Sequence, residues 1–135
     1  IFKSAYELEE DNLLSISALG YYYLQNNDFK KALEFYEKAY DLAPEDPKNK
    51  NNYGYSLMMN KMEIRKAVKL CEEALAEKST NPAIIDSVAW GNFLLNNIKR
   101  AVLAISKAIK ISPDIEEIKK HYAEISAKVK SILKK

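Results

Sequence analysis

One pattern of large and small residues runs through this chain three times, and its spacing limits the fold more than any other feature. Gly20, Gly54 and Ala89 mark equivalent places, 34 and then 35 residues apart. Around Gly20 the pattern reads Ile16, Leu19 and Tyr23, then Ala32, Tyr36 and Ala39, then Pro44. The second copy holds Tyr53, Leu57, Ala67, Cys71 and Ala74, and the third holds Val88, Asn92, Ala101, Ile105, Ala108 and Pro113. A period of this length is one supersecondary unit that cannot bury its apolar face alone and must stack on its neighbours. Small residues at fixed places let two helices cross closely, and large ones fill the seam to the density of a protein interior.

Within each copy the apolar periodicity is helical, and no segment alternates with period two between turn signals, so no sheet is expected. Helices are expected at 1–10, 13–26, 29–42, 47–60, 63–78, 82–96, 98–111 and 114–133. Asp46-Pro47 and Asn81-Pro82 each place a capping side chain before a proline at the first helical position. The step from Gly54 to Ala67 is one residue longer than from Gly20 to Ala32, which puts an extra residue in the turn near Asn60 and Lys61.

The pattern resembles the tetratricopeptide repeat, and the resemblance implies an all-α, right-handed superhelical solenoid of antiparallel helix hairpins. The divisions are then 13–46, 47–81 and 82–115 as full repeats, with 116–135 as a capping helix. Phe2, Ala5 and Tyr6 stand 34 residues before Tyr36, Ala39 and Tyr40, so residues 1–12 are expected to be the remnant of a preceding repeat. The chain, which starts with Ile, is accordingly expected to be a piece of a longer protein. In the last helix Ile115, Ile118, Tyr122, Ile125, Val129 and Ile132 form the expected apolar stripe, leaving a polar outer face as a terminal unit requires.

The resemblance also implies where a partner docks. In such repeats the first helix of each hairpin lines a concave groove. That assigns to it Leu14, Ser17, Tyr21, Leu24 and Gln25 in the first copy, and Lys48, Asn51, Tyr55, Met58 and Met59 in the second. In the third it assigns Ala83, Asp86, Trp90, Phe93 and Leu94. Tyr21, Tyr55 and Trp90 are equivalent, so they are expected to form a ladder of aromatic rings, beside a strip of Leu24, Met58 and Phe93. Aromatic and Met side chains are enriched where proteins meet. Two alternatives stay open: Leu24, Met58 and Phe93 also suit packing between neighbouring helices, and the rings can lie flat against them. Asn51 has an amide able to pair with the backbone of an extended ligand. Some members of the family grip a C-terminal carboxylate. The corresponding places here hold Ser17, Tyr21, Asn52, Ala83 and Ser87, of which only Asn52 fits, and no cation is present to meet the carboxylate.

The expected partner is therefore a protein or peptide of apolar or aromatic character, with self-association into a homo-oligomer as the second reading. A formal charge of +2 argues against a nucleic-acid surface, and the groove offers few cations beyond Lys48 for phosphate contact. No apolar run approaches the length of a membrane span, so no membrane insertion is expected. No cofactor, metal site or enzyme activity is expected. The single cysteine, Cys71, falls at a packed seam position, and the single histidine, His121, is expected on a solvated face beside Lys119, Lys120 and Glu124. The pairs Glu72-Glu73 and Glu116-Glu117 are sequence neighbours that point about 100° apart on a helix, and so read as solubilising charges.

Overall fold

A computed structural model describes residues 5–134, with side chains from Asn12 onwards. It contains α1 (Ala5–Gln25), α2 (Phe29–Leu42), α3 (Pro47–Met59), α4 (Ile64–Glu77), α5 (Pro82–Leu94), α6 (Ile98–Ile111) and α7 (Glu116–Leu133), and no strand among the described residues. Each helix packs on the next in sequence; in addition α3 packs on α5 and α5 on α7. The result is a solenoid of helix hairpins in which α1, α3, α5 and α7 form one layer. None of these helices is long and apolar enough to cross a membrane.

The helix starts are set by the caps. Asp28 accepts from the Lys31 amide at 3.2 Å, Asp46 from that of Lys48 at 2.9 Å, and Asn81 from those of Ala83 and Ile84 at 3.0 and 3.2 Å. The ends of α1, α3 and α5 repeat one backbone device. Asn27, Lys61 and Asn96 take the left-handed conformation, at φ 60°, 57° and 64°. Just beyond them the amides of Asp28, Met62 and Asn97 return to the carbonyls of Tyr23, Leu57 and Asn92 at 2.9, 2.9 and 2.8 Å. The connection between α3 and α4 is one residue longer than its counterparts. That residue leaves Glu63, the residue before α4, at φ 43° with no side-chain cap bond. A left-handed non-glycine residue is strained. Glu63→Asn tolerates this conformation and adds a capping side chain, so it is expected to raise stability by up to about 1 kcal/mol in urea titration.

Two apolar clusters carry the stack. One gathers Tyr53, Leu57, Met58, Val68, Leu70, Cys71 and Val88 from α3, α4 and α5. The other gathers Ile85, Ala89, Ile105, Ile118 and Ile125 from α5, α6 and α7. Polar side chains stitch one hairpin to the next. Asn49 is buried and its Nδ2 donates to the carbonyls of Ala39 and Ala43, at 3.2 and 3.1 Å, closing the end of α2. Asn60 Nδ2 donates to the Phe29 carbonyl at 2.8 Å. Asn49→Ala removes one of two donors at each carbonyl, the amides of Ala43 and Asp46 remaining on Ala39 and Ala43, and is expected to cost about 1 kcal/mol, measured by urea unfolding.

Two expectations need correction. The helices expected at 1–10 and 13–26 are one continuous helix from Ala5. The junction Glu10-Asp11-Asn12-Leu13 carries no proline, unlike the starts of α3 and α5, and nothing in it stops a helix. Phe2, and the side chains of Ala5 and Tyr6 on which the remnant repeat at 1–12 rested, lie outside the described residues. In α7 the buried face runs through Ile118, His121 and Ile125, while Tyr122, Ile115 and Ile132 are exposed.

Candidate functional site

The first helices of the hairpins enclose an open cavity of about 190 Å³. Tyr21 and Leu24 of α1 form one wall, with Tyr36 of α2 beside them. Asn51, Asn52 and Tyr55 of α3 line it, as do Asp86 and Ser87 of α5. Ile115, Glu117 and Ile118, at the start of α7, close the far side. A second cavity of about 210 Å³ adjoins it, lined by Leu24, Gln25, Tyr55, Met59, Glu117 and Lys120. Tyr55, Leu24 and Glu117 are common to both.

Eight of the residues expected in the groove therefore come together: Tyr21, Leu24, Gln25, Asn51, Tyr55, Met59, Ala83 and Asp86. Tyr21 stands 60% exposed. Lys48 lines a separate cavity with Asp46, Lys78 and Asn81, which shares Asn51 and Asn52 with the first. Ser17 is half-buried on α1 and lines neither groove cavity. Met58 is a correction: at 0% exposure it belongs to the core, where its Sδ and Cε atoms fill the space left by Gly91. Phe93 and Leu94 are half-buried and pack against the two core clusters. Trp90 is half-buried, with its ring covered from above by His121 at 4.2 Å and 16°.

His121 is the larger correction. It is 3% exposed, not solvated. Its Nδ1 lies 2.8 and 3.0 Å from the two carboxylate oxygens of Asp86, and its Nε2 lies 3.2 Å from Oε1 of Glu117. Tyr55 donates its hydroxyl proton to the same Glu117 oxygen. Both ring nitrogens face carboxylates, so both carry protons and the ring is an imidazolium. Burial pushes its pKa down, but the bonds to Asp86 and then Glu117 outweigh this and raise it from 6.5 to about 9. The bond from His121 holds Glu117 down at about 2, against its burial. Burial pushes Asp86 up and the imidazolium pulls it back; with His121 on both oxygens the carboxylate keeps its charge at neutral pH. Tyr55 is raised by burial and by its bond to Glu117. One signal could have found this centre: His121 follows Asp86 by 35 residues, the repeat period itself. Ser17, Asn51, Asp86 and His121 are one row of polar residues, one per first helix.

Residues 15–46 match the family model described as Tetratricopeptide repeat. Solved structures extend the likeness over the chain. The first TPR of Spaghetti (RPAP3), bound to the HSP90 peptide SRMEEVD, matches with a TM-score of 0.69 and 19% identity, covering 87% of this chain and 92% of that one. The chain has the tetratricopeptide-repeat fold. The TPR domain of Sgt2 from Aspergillus fumigatus matches with a TM-score of 0.74 at 17% identity, over 92% of this chain and 83% of that one. PcrH, in complex with the chaperone-binding region of PopD, matches with a TM-score of 0.68 at 15% identity, over 92% of each chain. No curated protein matches the chain. In tetratricopeptide terms α7 takes the place of a fourth first-helix, and its start forms a wall of the groove.

Proposed function

We propose that this chain is a protein-interaction module that receives a peptide or helix of a partner along its concave groove. The observation that carries the reading is the pair of adjoining cavities walled by Tyr21, Leu24, Tyr55 and Met59. Aromatic walls around a site sized for side chains suit an anchor residue of a docked segment. Two of the structural relatives named above, the Spaghetti domain and PcrH, hold a peptide or protein partner, as their descriptions state. The aromatic ladder contributes two open rungs, Tyr21 and Tyr55, since the third, Trp90, is covered by the chain's own α7.

The test uses a random decapeptide phage library selected on the folded chain. Enriched peptides are expected to lose binding to Tyr21→Ala by about 1–2 kcal/mol in anisotropy titrations. The same exposed substitution is expected to leave stability within about 0.5 kcal/mol. Peptides bound equally well by Tyr21→Ala and Tyr55→Ala would remove the groove from consideration.

A second reading is self-assembly. Leu14, Leu19 and Tyr22 are exposed on α1, and at the other end of the stack Val102, Leu103, Val129, Ile132 and Leu133 line an open apolar hollow. Joining one end to the other would be a heterologous contact that propagates rather than closes. Light scattering over a concentration series separates the readings; a constant monomer mass excludes assembly.

A further inference from the structure

We infer that the cavity between α1, α3 and α7 selects a cationic side chain, Arg or Lys, from the partner segment. This rests on the groove being a peptide site and adds the chemistry of the anchor. Four observations converge on it. The first is size. A cavity of about 190 Å³ takes one large side chain and no more; for scale, an apolar cavity of roughly 150 Å³ holds benzene.

The second is the wall. Leu24, Ile115 and Ile118, with the rings of Tyr21, Tyr36 and Tyr55, offer apolar and aromatic surface along the sides. An aliphatic stem packs on such a surface while its charged head stays with polar groups. Tyrosine faces attract a cation directly.

The third is charge. Among the described residues that line the cavity the charged ones are Asp86 and Glu117, with no Lys or Arg. The imidazolium of His121 sits behind both carboxylates and cancels one of the two charges. Glu117 is half-exposed, and both of the bonds it accepts, from Tyr55 and His121, fall on Oε1. Its second oxygen is left to meet a ligand. Lys120 lies outside this cavity, in the adjoining one.

The fourth is an unmet acceptor. Asn51 is 9% exposed and lines the cavity, and its Oδ1 is buried without a hydrogen-bond donor. A buried acceptor left unpaired is costly, and turning the amide toward the cavity to meet a ligand's N–H groups removes that cost. A guanidinium or ammonium carries only donors. A carboxylate-bearing peptide end brings only acceptors to a cavity that already has them in excess, so it is the wrong ligand for this site.

The test takes peptides enriched from the decapeptide library and sequences them. Those that depend on Tyr55 are expected to share one Arg or Lys at a fixed distance from their apolar residues and to be poor in Asp and Glu. For the tightest one, synthesised with its Arg as citrulline or its Lys as norleucine, affinity is expected to fall at least 10-fold. Glu117→Gln is expected to weaken the cationic peptide about 10-fold more than the neutral one, a charge-specific difference that a merely structural role for Glu117 would not produce. Should Glu117→Gln not fold, as judged by circular dichroism, the comparison of charged and neutral peptides decides alone. Groove-dependent peptides that are acidic, or that bind equally well when neutralised, would overturn the cation assignment and leave the groove standing. Peptides indifferent to Tyr21 and Tyr55 would take down both.

Discussion

Replacing His121 by alanine is expected to destabilise the chain by about 3–5 kcal/mol, because it breaks a buried ion network. The side chain itself is small, and lost packing against Trp90 explains only part of the cost. The larger part is what stays behind. Asp86 is 4% exposed, and its two oxygens face His121 at 2.8 and 3.0 Å. Without the imidazolium a buried carboxylate must either stay charged in apolar surroundings or take up a proton. Removing both partners, as Asp86→Leu with His121→Leu, is expected to cost less than His121→Ala alone. Urea unfolding followed by circular dichroism measures the total, and the fluorescence of Trp90, the only tryptophan, reports release of α7. Equal stability for His121→Ala and the wild type would show that the ion network contributes nothing.

The same network fixes a dependence on pH. His121 titrates near 6.5 when unfolded and about 9 when folded, so its contribution is complete below 6.5 and lost as pH rises through 9. Over that interval stability falls by up to about 1.4 kcal/mol per pH unit. Glu117 runs the other way. Its folded value of about 2 lies below the ordinary 4.5, so its contribution is present above 4.5 and lost as pH falls through 2. Asp86, raised by burial, opposes Glu117 on the acid side. Tyr55 is raised and stays protonated throughout, donating to Glu117. Stability is therefore expected to decline between pH 7 and 10 in the wild type, and to lose that slope in the double leucine variant.

The solenoid was legible because its signals are local and repeated. The Asp-Pro and Asn-Pro starts and the extra residue near Lys61 act through neighbours in sequence, and the small residues Gly20, Gly54 and Ala89 recur at a period of 34 and then 35 residues. The site was legible only in part. His121 looked solvated because Lys119, Lys120 and Glu124 surround it in the sequence. On a helix the neighbours that matter lie three and four residues away; of these, Glu117, Ile118 and Ile125 face inward or toward the groove, while Glu124 is exposed. Met58 was assigned to the groove by its place in the repeat. Its fate is decided by Gly91 on the next hairpin, whose missing side chain lets α5 close over it. Asn49 and Asn60 read as plain polar residues, since the carbonyls they satisfy belong to other helices.

Gly54→Ala should be the most damaging of the single-methyl insertions, at about 2–3 kcal/mol. Alanine is the better helix former by about 1 kcal/mol, so the loss must come from packing. A Cβ at this position would lie 2.7 Å from Sγ of Cys71 and 2.8 Å from the carbonyl oxygen of Ala67. The first neighbour is a short, fully buried side chain and the second is backbone, so neither can step aside and α4 must move as a body. Gly91→Ala provides the comparison. Its Cβ would meet Val68 Cγ2 at 2.5 Å and Met58 Cε at 2.6 Å, nominally closer. Met58, however, can bend at its thioether, and Val68, though stiff at χ1, is a side chain rather than backbone, so the cost should stay at about 1–2 kcal/mol. Cys71→Ala in the Gly54→Ala background is expected to recover less than half of the loss, because the Ala67 carbonyl remains in the way. The depth at which α3 seats against α4 also sets where Asn51 and Tyr55, on either side of Gly54, reach the groove. Gly54→Ala should thus weaken peptide binding even at temperatures where it is fully folded. A larger loss for Gly91→Ala than for Gly54→Ala in urea titration would show that side-chain ends, not backbone, limit how closely these hairpins stack.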